Sequence, residues 1–339
     1  MPPGDNDIIL LGHGSGGRMT GDLLDRIILP NIYENGAIPE QEDAAVLDMP
    51  PGDVLFTTDS YVVDPFIFPG GDIGELAVNG TVNDLAMRGG RPVAISVGFI
   101  LEEGLKIADF KTILRSIGRA AREAGVAIAC GDTKVVPRGR GDKLYINTSG
   151  VGVARGGLDI RAENARPGDR VLVNGTIGDH GVAVLSAREG LDFDSPVKSD
   201  TAALSGMVSD LLEAGVEIHT LRDPTRGGLA TVMVEIAEAA GVTIRLDERS
   251  IPVAPAVNGA CELLGLDPMF IANEGKMVVV VPEKDSERAL DVMRANRLGA
   301  NAAIVGEVEA GAGGAVMTSL IGGSRILSKL PGELLPRIC

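Results

Sequence analysis

Four aspartates stand in company that does not suit a solvated charge. They are Asp43 in Glu42-Asp43-Ala44-Ala45-Val46, Asp59 in Thr57-Thr58-Asp59-Ser60, Asp84 in Asn83-Asp84-Leu85-Ala86-Met87 and Asp132 in Gly131-Asp132-Thr133-Lys134. A carboxylate among small and apolar residues must be paired, hydrogen-bonded or metal-bound, because desolvating it alone costs too much. Mg²⁺ takes oxygen ligands and is held by a few carboxylates together with substrate phosphates. Four such acids at strand ends and on one helix therefore form a donor set for a cation that carries phosphate, although Asp59 and Asp132 taken singly also read as helix caps. Asp223-Pro224-Thr225-Arg226-Gly227-Gly228 adds a helix start with an acid, a second place for an anion or a metal-linked carboxylate. Lys134 and Arg226 are the cations best placed for phosphate. Glu274, in Asn273-Glu274-Gly275-Lys276, reads either as a turn residue or as a base beside a cleft. The glycine run Leu11-Gly12-His13-Gly14-Ser15-Gly16-Gly17-Arg18 offers unobstructed backbone N–H groups that can wrap phosphate, with His13 and Arg18 to meet its oxygens, or it is a mobile leader.

The thiols divide into two kinds. Cys130 ends an apolar strand and Cys261 lies in a helix beside Leu263 and Leu264, so both read as inert core thiols. Cys339 is the last residue, behind glycine joints at 311–314 and 322–324 and prolines 331 and 336. Nine extended residues span roughly 30 Å, enough to carry this thiol across a domain into a pocket. His180 and His219 lack metal-ligand spacing and read as structural.

The elements that must position these groups alternate along the chain. Apolar periodicity predicts a strand at 54–58, a helix at 72–88 opened by an aspartate cap, a strand at 93–101, a helix from 107 ended by Gly125, and strands at 126–129 and 143–153. Beyond a boundary near 163–167 it predicts helices at 179–189, 201–213, 226–240, 255–264 and 285–297, with strands at 216–220, 242–246, 276–281 and 302–308. Pro167-Gly168-Asp169-Arg170-Val171-Leu172 echoes Pro51-Gly52-Asp53-Val54-Leu55-Phe56, which suggests two related units. The expected fold class is α/β (α+β), divided into a glycine-rich loop and helix (1–41), an N-terminal α/β domain (42–162), a C-terminal α/β domain (163–310) and a flexible tail (311–339).

Composition excludes several functions. Lys plus Arg number 31 against 47 Asp plus Glu, a formal charge of −16, which disfavours nucleic acid and anionic membrane as partners. There is no Trp and only 3% of residues are aromatic, so stacking platforms for bases or sugars are not the main activity. Three separated cysteines make neither a zinc site nor a disulfide framework, and a reducing compartment is expected. The first residues carry no basic stretch followed by an apolar run, so a cytoplasmic location is expected.

The stretches Asp43-Ala44-Ala45-Val46, Thr58-Asp59, Asn83-Asp84-Leu85-Ala86-Met87-Arg88-Gly89-Gly90, Gly131-Asp132-Thr133-Lys134 and Asp223-Pro224-Thr225-Arg226-Gly227-Gly228 together resemble the ATP-binding superfamily of aminoimidazole ribonucleotide synthetase and selenophosphate synthetase. Within it the chain resembles the HypE family, the carbamoyl dehydratases of nickel–iron hydrogenase maturation, whose tail motif matches Pro336-Arg337-Ile338-Cys339. The resemblance runs in order along nearly the whole chain. Unlike selenophosphate synthetases, the N-terminal loop carries His13-Gly14-Ser15 and no Cys, and Glu42 stands where superfamily members often have a second Asp.

The resemblance implies a two-domain PurM-like fold, with an N-terminal domain that forms a dimeric β-barrel and a C-terminal α/β sandwich. It implies ATP and Mg²⁺ as cofactors, with metal held by Asp43, Asp59, Asp84 and Asp223. Nucleotide contacts are expected from Asp43, Asp59, Asn83, Asp84, Gly131, Asp132, Thr133, Arg226 and His13. Cys339 would carry a carbamoyl group placed by the carbamoyltransferase HypF, Lys134 would sit by the transferring phosphoryl group or the carbamoyl oxygen, and Glu274 would take the amide protons. The implied partners are HypF, the HypC–HypD complex and a second copy of the chain. Two other readings of the residues stand beside this one: another ATP-dependent small-molecule synthetase or kinase of the superfamily, and a scaffold that only displays Cys339.

Overall fold

An aspartate cap starts the helix on which the first unit is built. The computed structural model describes residues 7–34, 36–38, 41–191, 197–330, 332 and 335–339, so the expected hinge at Pro331 lies outside the described residues. A short 3-10 turn (Leu11–Gly14) leads to α1 (Arg18–Leu23), which passes through a π-helical turn into α2 (Leu29–Ile32) and buries Leu23, Ile27 and Ile32. Then come β1 (Val54–Tyr61), the small hairpin β2 (Ile67–Phe68) and β3 (Gly71–Asp72), and α3 (Ile73–Met87). Asp72 caps α3 by accepting from the N–H groups of Gly74 and Glu75 at 2.8 and 3.1 Å. β4 (Gly90–Glu102), α4 (Ile107–Ala124), β5 (Ala127–Val136) and β6 (Leu144–Ala154) complete the unit. Gly125 ends α4 at φ 69°, a left-handed conformation that glycine adopts without strain.

The four long strands order as β1-β6-β4-β5, with only β4 and β5 parallel. One face of this sheet packs on α3. The other leaves Val54, Phe56 and Ile100 exposed, Phe56 at 69%. Register therefore decides which acids can meet. Asp59, Thr148 and Val97 pair across the sheet and share the α3 face, whereas Lys134 pairs with Ile100, and Asp132 with Gly98, on the open face.

In the second unit β7 (Asp169–Val173), α5 (Asp179–Glu189), α6 (Ser205–Glu213), β8 (Thr220–Arg222), α7 (Gly228–Ala240), β9 (Val242–Asp247), α8 (Pro255–Leu264), β10 (Val278–Pro282), α9 (Glu283–Ala295), β11 (Ala303–Ala310), β12 (Gly314–Thr318) and β13 (Ser324–Leu327) follow in order. The sheet runs β13-β12-β9-β11-β7-β10-β8. Val278 to Val281 are fully buried because both faces are covered, by α7 on one side and by α6 and α9 on the other. The strand expected at 216–220 is observed at Thr220–Arg222, and the helix expected from 201 starts at Ser205.

The expected tail needs correction. Residues 314–318 and 324–327 are strands, so the glycines at 311, 313 and 322–323 lie in short turns between strands of the sheet rather than in flexible joints, and Gly314 opens β12. Among the described residues no helix is long and apolar enough to cross a membrane.

Candidate active site

Alternation along β1 puts Asp59 and Tyr61 on the α3 face, where α3 presents Thr81 and Asp84. Thr81 donates to Asp59 at 3.3 Å and Thr57 donates to Asp84 at 2.7 Å. From the second unit come Asp223, Arg226 and Glu274, and these line one small cavity of about 60 Å³ with Asp59, Tyr61, Asp84 and Cys339. Two glycines make the Arg226 corner possible. Gly227 and Gly228 hold φ 79° and 62°, and a Cβ on Gly228 would stand 2.6 Å from the Met269 carbonyl oxygen, so the chain turns into α7 against backbone.

The acids are electrostatically crowded. Burial, together with the charges of Asp59 and Asp223, pushes Asp84 up to about 7 against the hydrogen bond from Thr57. Burial raises Asp223, with Asp59 adding to it. Glu274 is fully buried and raised well above the carboxylate range by burial and then by Asp223, Asp200 and Asp59, with Arg226 opposing. Among the described residues its Oε1 has no hydrogen-bond partner. A buried carboxyl oxygen of this kind is a group held ready for a reacting proton. The crowding of hard oxygen donors is what a divalent cation relieves, so Asp59, Asp84 and Asp223 fit Mg²⁺ chemically. As placed, no three His, Cys, Asp or Glu groups among the described residues stand close enough to hold a metal ion.

The turn that carries Glu274 is held from beneath. Asp200 accepts from the N–H groups of Glu274 and Gly275 at 3.2 and 3.3 Å and from Lys276 Nζ at 2.9 Å. Burial alone would raise Asp200, but Lys276 and His180 outweigh it and hold the carboxyl below its usual range. His180 in turn bonds the backbone of the segment that bears Cys339, through Nε2 to the Ile338 carbonyl at 2.7 Å.

Residues 41–154 match the family described as AIR synthase related protein, N-terminal domain, and residues 166–319 match its C-terminal domain. "Carbamoyl dehydratase HypE" of Azotobacter vinelandii is 50% identical over 335 residues, covering 98% of each chain. The chain belongs to the HypE family of carbamoyl dehydratases. The HypE of Escherichia coli strain K12 is 45% identical over 98% of this chain and 99% of its own. The crystal structure of a HypE in complex with ATP superposes with a TM-score of 0.91 at 48% identity, covering 97% of this chain and 99% of that one. The PurM-like two-domain fold is thus that of HypE. A thiamine-monophosphate kinase at 19% identity and TM-score 0.61 shares the fold.

Within this HypE-family chain the predicted site residues separate into groups. Asp59, Asp84, Asp223, Arg226, Glu274 and Cys339 come together. Asp43, Gly131, Asp132 and Thr133 line a different cavity of about 390 Å³ under α1 and α2. Lys134 shares the open face with Asp132 alone of these, exposed and paired with it at 3.0 Å. Asp59 and Asp132 cap no helix, since both lie within strands. His13 is buried in its turn, its Nδ1 accepting from Leu10 N–H at 2.9 Å, and burial lowers its pKa.

Asn83, expected as a nucleotide contact, is buried at the junction of the two units. Its Oδ1 accepts from Leu204 N–H at 2.8 Å and its amide donates to the Ala202 and Glu274 carbonyls, so a buried side chain is spent on joining the two domains. Cys130 is corrected: it is exposed and lines the larger cavity, because β5 is an edge strand, while Cys261 is buried with its thiol pushed up to about 11. Tyr61, His180, Arg188, Asp200 and Lys276 were not singled out as site residues. Only Lys276, two positions from Glu274, carried a sequence signal, a cation directly before a fully apolar strand.

Proposed function

We propose that this chain dehydrates an S-carbamoyl group on Cys339 to a thiocyanate at the expense of ATP, supplying the cyanide ligand of hydrogenase iron. The observation that carries the reading is that the Cys339 segment docks with the cysteine in the same acidic cavity as Glu274. A superfamily kinase acting on a soluble acceptor would have no use for that docking. In the proposed step the carbamoyl oxygen forms a bond to the γ-phosphorus and the bond to ADP breaks. The carbon–oxygen bond then breaks with phosphate as leaving group, and both amide protons are removed, leaving S–C≡N.

Glu274 is the proposed base. A raised pKa makes the Glu274 carboxylate a stronger base than an ordinary one, and its Oε1 is available for the amide. Arg226 offers its guanidinium to phosphate oxygens at the mouth of the same cavity. Asp59, Asp84 and Asp223 would hold Mg²⁺, which supplies charge neutralisation for the phosphates when bound. Asp43, Asp132 and Thr133 would serve the nucleotide from the larger cavity and His13 from the glycine loop, with Lys134 at the transferring phosphoryl group or the carbamoyl oxygen. We infer also that the chain works as a homodimer, takes its carbamoyl group from a HypF-type carbamoyltransferase and passes the nitrile to a HypC–HypD complex, in the cytoplasm. A solved HypE–HypF complex at 46% identity, covering 93% of this chain, supports the first partner.

The test is direct. Carbamoylated protein is incubated with MgATP and the peptide ending in Cys339 is weighed: the expected result is loss of one water at that residue. No loss would end the dehydratase reading. Glu274→Gln should keep ATP binding and lose the dehydration.

A further inference from the structure

The segment that carries Cys339 is gripped chiefly by its backbone, and α5 supplies the grip. Arg188, in the last turn of that helix, donates from Nε to the Asp64 carbonyl at 2.7 Å, from Nη1 to the Pro336 carbonyl at 2.8 Å and from Nη2 to the Arg337 carbonyl at 2.6 Å. His180, eight residues earlier and so on the same helix face, takes the Ile338 carbonyl through Nε2, with Nδ1 against Ser199 Oγ at 2.8 Å. From the N-terminal domain the N–H of Asp64 donates to the Arg337 carbonyl at 3.2 Å and that of Val62 to the Cys339 carbonyl at 3.4 Å. Successive carbonyls 336 to 339 are thus all engaged. Ile338 is 4% exposed in an apolar seat near Ala272, and Arg337 stands between Asp64 and Asp142 at 3.7 and 3.2 Å.

We propose that Arg188 and His180 form a peptide clamp that seats Cys339 in the cleft of its own chain, acting as positioning residues for the reaction. The inference rests on the reading that Cys339 carries the reacting group. Two features make it a clamp rather than ordinary packing. The planar guanidinium bridges the Asp64 carbonyl of the first domain and two carbonyls of the segment, so docking is coupled to the domain junction. Contacts to main-chain carbonyls also hold the segment whatever group the sulfur bears, so a loaded thiol docks as a bare one does. The clamp must also open, because a cavity of about 60 Å³ admits no second protein's active site. Its strength therefore sets how the chain divides its time between loading and dehydration.

The experiment follows alkylation of Cys339 by iodoacetamide in the full-length, nucleotide-free protein, read by mass on the tail peptide against a synthetic peptide Leu-Pro-Arg-Ile-Cys. The wild type should be protected. Arg188→Met removes both hydrogen bonds to the segment and should raise the Cys339 rate by at least about tenfold, the effect of losing even one strong charge-assisted hydrogen bond. Arg188→Lys, which keeps the charge but not the fork, should fall between. Ile338→Asp, which changes only the segment's own side chain and leaves Arg188 in place, should deprotect the thiol, and it keeps the test sound if an Arg188 variant folds poorly. An unchanged rate in folded Arg188→Met, or a wild type no slower than the peptide, would overturn the clamp. Alkylation needs neither ATP nor a carbamoyl group, so this outcome is independent of the water-loss test. A single-turnover dehydration rate that falls in Arg188→Met, with ATP affinity kept, marks the residue as positioning.

Discussion

Asp84 concentrates the electrostatics of the site. Its carboxyl titrates at about 7 in the folded chain against the ordinary 3.8, so the folded chain binds that proton more tightly than the unfolded one. The sign follows: its contribution to stability is full below the unfolded value and is lost as pH rises through the folded value. In metal-free buffer Asp84→Asn should therefore melt higher than wild type at pH 8, by on the order of a few degrees, and the difference should shrink as pH falls to 5. A melting difference independent of pH would remove charge crowding as the cause. The same variant should abolish ATP turnover while leaving the fold intact, and retained turnover would take Asp84 out of the proposed metal site. These acids were legible in the sequence because a carboxylate among alanines, leucines and glycines is physically awkward without a partner. The place of Asn83 was not legible: an amide with donors and an acceptor suits a ligand, and suits three backbone groups across a domain junction equally well.

At the scale of elements, the turn 273–276 shows how the second unit places its base. Gly275 admits no side chain, since a Cβ there would stand 1.8 Å from the Asp200 carbonyl oxygen. Gly275→Ala should displace the turn at a cost of about 1–3 kcal/mol and lose dehydration far more than ATP binding. Equal losses of both would argue against a specific effect on Glu274. Asp200→Ala should be more damaging, about 3–5 kcal/mol, because it leaves Lys276 buried and unpaired, and thermal melting reads that difference. Helices and central strands were legible from periodicity. β12 and β13 were not, because short strands flanked by glycine look like linkers until a neighbour such as β9 supplies their hydrogen bonds. α5 escaped notice as a functional element since His180 and Arg188 act on backbone carbonyls, which leave no trace in residue spacing.

The whole molecule poses a question that one chain leaves sharply defined. Register puts Lys134 and Asp132 on the open face of the four-stranded sheet, while Asp59 faces α3 on the opposite side with Asp84 and Glu274 near it. The open face exposes Phe56, Val54 and Ile100, apolar surface that a second sheet would cover. The proposed dimer thus both closes a barrel and offers the Lys134 of one chain to the cleft of the other. Phe56→Glu should shift sedimentation toward monomer and lower activity together. The sharper experiment mixes two inactive variants, Lys134→Ala and Glu274→Gln, co-expressed with different tags and purified as mixed dimers. If lysine crosses between chains, one cleft in each mixed dimer holds both a native Lys134 and a native Glu274, so roughly half of wild-type dehydration should return. If the lysine serves its own chain, every cleft lacks one of the two groups and the mixed dimer stays inactive.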